Sequence, residues 1–246
     1  MRTPTGIIGL DTELDGGIPQ GAIVLLAGEP GVGKTVFSIQ FVLAGIAEGE
    51  PGVIGTSEDP EALFELANSL GWDLRAAVDD GYASIVQFSM TDEYSELSAE
   101  SSETDGNLNQ VLRPMTADES TSAMIEAINE IRAERVALDK ITTPLASYES
   151  SREFVGRVTV EVANRSYCTT LLTGFRPHQS LGYTALGIEE QISDGIIDMQ
   201  FSDVSGVTER ILSVRKMYAT QLDLSEHLYE IQPGRGVIFV LSLIHI

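Results

Sequence analysis

Short apolar runs alternate along the chain with longer stretches whose apolar residues recur every three or four positions. This is the pattern of βαβ units and of a parallel sheet. Residues 22–27 form an uninterrupted apolar run, which predicts a buried strand, and a glycine-rich turn and a helix over about 34–48 follow it. Residues 52–57, 83–88, 135–139 and 169–173 predict four more strands. Pro60 suits the first turn of a helix ending near Leu70, because its missing N–H has no helical partner to lose there. Met124, Ile128 and Ile131 share a face of a helix over about 120–133, and another helix is predicted over about 151–164. After Gly187 the pattern becomes short strands between polar turns (196–201, 210–217, 227–231 and 236–241), which predicts an antiparallel β portion. Residues 90–118, rich in Ser, Glu and Asp, predict a mobile acidic surface insertion. With neither an internal repeat nor a linker, the 246 residues are expected to form one domain.

Charge changes the picture more than length does. The chain has 15 basic and 37 acidic residues, a net charge of −22. Such a surface argues against nucleic acid or an anionic membrane as partner, because phosphate attraction needs a basic face. The basic residues are 12 Arg and only 3 Lys (Lys34, Lys140 and Lys216). A carboxylate-rich surface almost without lysine points to a protein kept soluble in a salt-loaded, halophilic cytoplasm. The single cysteine, Cys168, rules out an intramolecular disulfide and fits a reducing compartment. The N-terminus lacks an apolar signal core, and no apolar run approaches the length of a membrane span.

The most specific chemical signal is Gly28-Glu29-Pro30-Gly31-Val32-Gly33-Lys34-Thr35, a full match to G-x-x-x-x-G-K-[ST] between a strand and a helix. Glycines let the backbone wrap phosphate oxygens with N–H groups pointing inward, and the helix that starts there adds its positive end. These eight residues, with Val36 just inside the helix, form the candidate nucleotide site. Lys34 is expected on the β and γ phosphates, and the Thr35 hydroxyl on Mg²⁺. Asp139, after the apolar run 136–138, is the candidate second Mg²⁺ carboxylate. Lys140 beside it either pairs with Asp139 or points to solvent, and the alternation of strand side chains favours the second. Glu58 and Asp59 follow the second strand at the same sheet edge, where a carboxylate can orient a water for attack on the γ-phosphate. Asp59 can also cap the next helix, so Glu58 is the favoured catalytic carboxylate.

Several motifs in order resemble the RecA-like P-loop ATPases, and within them the KaiC/RadA-like branch. Residues 5–11, Thr-Gly-Ile-Ile-Gly-Leu-Asp, with 14–21, Leu-Asp-Gly-Gly-Ile-Pro-Gln-Gly, resemble the family's opening. So do Ser57-Glu58-Asp59-Pro60, Gly71-Trp72-Asp73-Leu74, the run 169–173 and Gly187-Ile188-Glu189-Glu190 leading to Ser193-Asp194-Gly195. The resemblance implies an α/β fold of the RecA-like P-loop NTPase type: a twisted, mainly parallel sheet, helices on both faces and a C-terminal antiparallel β portion. It implies ATP/ADP and Mg²⁺ as ligands, bound between protomers of a homo-oligomeric ring, commonly a hexamer. It also puts the paired carboxylates on Glu58 and Asp59, the Walker B aspartate on Asp139, and a contact in trans to the neighbour's γ-phosphate on Lys216. Two departures imply slow hydrolysis. The family's K-x-R-G-T reads Lys216-Met217-Tyr218-Ala219-Thr220, without the arginine, and Lys140 stands where the family usually has serine. The expected role is a nucleotide-dependent regulatory switch. The alternatives are a non-catalytic ATP-binding module and a recombinase paralogue that binds DNA.

Overall fold

A computed structural model describes residues 1–88, 116–141, 148–177, 182–204 and 207–240. Most of the predicted acidic insertion lies outside the described residues. The last residues of that insertion, 116–118, are the cap and first turn of a helix.

In chain order the elements are β1 (Arg2–Thr3), α1 (Ile8–Glu13), β2 (Ile18–Pro19), β3 (Ile23–Gly28), α2 (Lys34–Ala47), β4 (Gly52–Thr56), α3 (Pro60–Ser69), α4 (Leu74–Asp79) and β5 (Ala83–Gln87). There follow α5 (Ala117–Ile131), β6 (Arg135–Asp139), α6 (Tyr148–Ser166), β7 (Thr169–Phe175), α7 (Ile188–Ile192), β8 (Gly195–Val204), β9 (Val207–Met217), β10 (His227–Gln232) and β11 (Gly236–Phe239). Among the described residues, nine strands form one sheet in the order β5-β4-β6-β7-β3-β8-β9-β10-β11. Strands β5, β4, β6, β7, β3 and β8 run parallel, and β9, β10 and β11 pair antiparallel. The five N-terminal strands and the four C-terminal ones are those expected from the apolar pattern. One detail differs: β8 was expected within the antiparallel portion, yet it pairs in parallel with β3 and only then antiparallel with β9. Periodicity reports a strand but not its partner. The two-residue strands β1 and β2 and the short helices α1, α4 and α7 are too brief to show any period.

The sheet divides the core into two layers. Every residue of β3 is buried. Val24 and Leu26 face a cluster with Phe37, Phe41, Leu63 and Leu74 from α2, α3 and α4. Leu25 and Ala27 face the opposite cluster with Met124, Ile128, Val155 and Val158 from α5 and α6. The continuous apolar run is thus explained by burial on both faces. Helix α5 starts at Thr116, whose hydroxyl accepts from the Glu119 N–H at 3.2 Å while the Glu119 carboxylate accepts from the Thr116 N–H at 2.9 Å. This capping box satisfies two otherwise orphan donors.

A buried arginine ties the N-terminal segment to this frame. Arg135, at the start of β6, is fully buried. Its Nε donates to Glu50 Oε2 at 2.8 Å, and its Nη1 donates to the carbonyls of Pro4 and Phe41 at 2.7 and 2.9 Å. Gly45 leaves the space for it, because a Cβ there would run into Arg135 Cδ and Nε. Replacing Arg135 by Met removes the donors and strands two carbonyls and a carboxylate, so Arg135→Met should lower stability by about 3 kcal/mol. A denaturant midpoint matching the wild type would contradict that.

Candidate functional site

The parallel strands β3, β4, β6 and β7 all end at one sheet edge, and the residues just past their ends form the candidate site. The loop after β3 needs its glycines for two separate reasons. Gly31 and Gly33 have φ of 84° and 107°, the left-handed region where a side chain is strained. Gly28 lies against the next strand so closely that a Cβ would strike the Met199 carbonyl. Gly33 is also the N-cap of α2, so the loop delivers the first helical N–H groups to its own mouth.

Lys34 is the first residue of α2, and its Nζ donates to the carbonyls of Gly28 at 2.8 Å and Glu29 at 2.9 Å. Burial brings its pKa down from 10.5 to about 8, partly opposed by the negative charge of Asp139. Thr35 follows, and its hydroxyl donates to Asp139 Oδ2 at 2.9 Å, joining the start of α2 to the end of β6. Asp139 is fully buried, and its Oδ1 has no hydrogen bond. Burial raises its pKa, with the Thr35 hydroxyl and the Lys140 cation working against the shift. A buried carboxylate beside a threonine hydroxyl suits a hard divalent cation. Among the described residues no group of three His, Cys, Asp or Glu could hold a metal ion unaided. A cation here would therefore draw its other ligands from water or from phosphate oxygens.

Glu58 and Asp59 separate in role. The Asp59 side chain accepts from the Glu61 N–H at 3.0 Å as the N-cap of α3, with Pro60 at its first turn. The Glu58 N–H donates to Thr56 Oγ1 at 3.1 Å, and its carboxylate forms an ion pair with Lys140. Lys140 therefore does not pair with Asp139: its half-exposed side chain lies toward solvent, as the strand pattern suggested, and there meets Glu58. The strand ends at Asp139, and Lys140 turns through a left-handed φ of 55°. Two bonds fix that turn: its N–H donates to Thr173 Oγ1 at 2.9 Å, and its carbonyl accepts from Ser57 Oγ at 2.6 Å. The left-handed turn costs of order 1 kcal/mol for a non-glycine residue. The ion pair, with side chains 47% and 36% exposed, returns less than about 1 kcal/mol.

Lys216 is placed elsewhere. It pairs with Ile196 near the start of β8, at the sheet edge opposite the loop, and its Nζ donates to the Ser193 carbonyl at 2.6 Å. It does not join the site of its own chain. Just beyond it, Ala219 has a φ of 51° where the resembling motif has glycine, and Arg2 holds this turn through the Ala219 carbonyl at 2.8 Å and Thr220 Oγ1 at 2.7 Å.

Two residues at the loop escaped the sequence reading. Tyr229, buried in β10, donates its hydroxyl to the Val32 carbonyl at 2.6 Å, and burial pushes its pKa up. Ile231 closes over Gly33, where a Cβ would meet its Cδ1. Both come from the antiparallel portion, nearly 200 positions from the loop, and no local signal marks them. The described helices include none long and apolar enough to cross a membrane.

Comparison with known proteins agrees with this geometry. A family model described as KaiC ATPase matches residues 3–243. A UPF0273 protein of Methanopyrus kandleri is 34% identical over 232 residues, covering 94% of this chain and 88% of its own. The circadian clock oscillator protein KaiC of Synechococcus elongatus is 31% identical over 251 residues, covering 98% of this chain but 44% of its own. The crystal structure of a KaiC-like protein from Pyrococcus horikoshii OT3 superposes with a TM-score of 0.80 at 28% identity, covering 98% of this chain and 99% of its own.

The lowered pKa of Lys34 has a definite sign. The group is cationic below about pH 8 and neutral above it. Affinity for ATP should therefore fall roughly tenfold from pH 7 to pH 9. Calorimetric titration at both values checks this, and Lys34→Ala should bind weakly at both and lose the dependence.

Proposed function

We propose the function from one premise: the chain belongs to the KaiC family of ATPases. We infer that the chain binds Mg²⁺-ATP at residues 28–35, hydrolyses it slowly, and uses the bound nucleotide as a regulatory signal. The observation that carries this reading is the meeting of Lys34, Thr35, Asp139 and Glu58 at one sheet edge, with Thr35 bonded to Asp139 at the base of the loop.

The residues divide the work. The loop N–H groups and Lys34 hold the phosphates. Thr35 and Asp139 would hold the divalent ion, which supplies charge neutralisation on the β and γ phosphates when bound. Glu58 accepts a hydrogen bond from a water and so orients it toward the terminal phosphorus. The water oxygen bonds to phosphorus as the bond to the bridging oxygen breaks. The electron pair leaves with ADP, and the water proton passes to Glu58. Asp59 adds a second negative charge beside Glu58 while it caps α3.

Lys216 lies at the far sheet edge of its own chain, so it serves a nucleotide only across a boundary with another copy. This supports a homo-oligomeric ring, with the six copies common in the family as its expected size. Tyr218 and Ala219, standing where the motif has arginine and glycine, account for slow turnover. The acid-rich, lysine-poor surface supports a salt-loaded cytoplasm as the working medium and leaves DNA disfavoured as partner. The nine-stranded sheet shared by the N-terminal and C-terminal elements supports a single domain over residues 1–246.

Single-turnover phosphate release with Mg²⁺-ATP in high salt tests the reading. Lys34→Ala should weaken ATP binding at least about tenfold, as the loss of a charge-assisted contact requires. Glu58→Gln should keep binding and slow release about 100-fold. Wild-type release no faster than that of Lys34→Ala would leave only the non-catalytic ATP-binding module.

A further inference from the structure

Lys140 is fixed in a turn that sets its side chain against Glu58 across the sheet edge. Its backbone takes a left-handed turn that a lysine adopts only under constraint. Both of its backbone polar groups are tied, one to Thr173 within β7 and the other to Ser57 just past β4. The constraint aims the ammonium from the end of β6 across to the Glu58 carboxylate. The same ammonium is close enough to lower the pKa of Lys34 and to oppose the rise in that of Asp139. It thus lies within electrostatic reach of the loop cation, the buried aspartate and the carboxylate that would orient water. A half-exposed pair adds little stability of its own, and a pair that must open and close has reason to be exposed and fixed in place.

We propose that Lys140 is a positioning residue that withholds the Glu58 carboxylate until the terminal phosphate of a bound triphosphate draws its ammonium away. The terminal phosphate carries more charge than a single carboxylate and lies at the mouth of the loop on the Lys34 side. A triphosphate therefore competes for Lys140, and a diphosphate, which lacks that group, does not. Lys140 exchanges one anion for another without any bond being made or broken. In doing so it couples recognition of the terminal phosphate to the freeing of Glu58. This inference rests on the assignment of Glu58 as the water-orienting group.

The test uses the full chain and compares wild type, Lys140→Met, Lys140→Gln, Glu58→Gln and the double variant Lys140→Met/Glu58→Gln. Thermal melts establish that each is folded, and the glutamine variant stands in should the methionine variant fail. Single-turnover phosphate release should rise about fivefold in Lys140→Met, the coupling expected of contacting residues. The preference for ATP over ADP, measured by titration of each nucleotide, should fall by a similar factor. In the Glu58→Gln background the Lys140 substitution should add nothing to the rate. Lys140→Arg, which keeps the cation, should return the rate toward that of the wild type. Release from folded Lys140→Met or Lys140→Gln at or below the wild-type rate, or an ATP-to-ADP preference that does not move, overturns the proposal. Its failure is distinguishable from that of the ATPase reading. If wild type and Lys34→Ala bind ATP alike, the nucleotide site itself is misassigned. If Glu58→Gln releases phosphate at the wild-type rate, the water-orienting role is misassigned, and the proposal falls with it.

Discussion

The structure depends first on the complete burial of β3. Strands pair with it in parallel on both sides, β7 and β8, and each of its faces is covered by a different helical layer. None of its backbone groups can turn to water, so its register is fixed twice over. The loop that leaves it begins from an immovable point. Gly28 cannot accept a side chain because the Met199 carbonyl of β8 already occupies that volume. The chemistry at the loop is positioned because the strand below it has no freedom to shift.

Parallel pairing carries that order outward. In parallel strands the chain ends point the same way, so residues far apart in sequence arrive together at one edge. Thr56 of β4 is level with Asp139 of β6, which sets Glu58 and Asp139 side by side. The hydrogen bond from Thr35 to Asp139 then closes the edge, tying the helix that starts at the loop to the strand that supplies the carboxylate. Burial leaves Asp139 costly to ionise and Lys34 easier to neutralise, so a cation beside Asp139 and an anion beside Lys34 would each stabilise the charged form. The antiparallel portion has its own part, since β10 holds the loop from outside through Tyr229 and Ile231.

Glu58 and Asp59 show how neighbouring residues of one type acquire different tasks. Asp59 is adjacent to Pro60 and takes the cap, a local duty set by the helix that follows. Glu58 has no such duty, and its partner comes from another strand. Lys216 shows the opposite case: its motif suggests a nucleotide contact, yet the sheet carries it to the far edge, away from the loop of its own chain.

The sequence by itself determined whatever is encoded over short range. The apolar runs announced the strands, the G-x-x-x-x-G-K-T spacing announced the loop, and Asp59-Pro60 announced a helix start. These are legible because backbone sterics, burial and capping act within a few residues. Tertiary structure alone decided that β8 joins the parallel part, that Tyr229 and Ile231 close on the loop, and that Arg135 gathers Glu50, Pro4 and Phe41. It also decided where Lys140 points. Alternation along a strand predicted solvent, and the side chain is half exposed, but a left-handed turn held by Thr173 and Ser57 also sets it against Glu58. Such a partner is chosen by which strand ends lie beside one another, and a one-dimensional pattern holds no record of that adjacency.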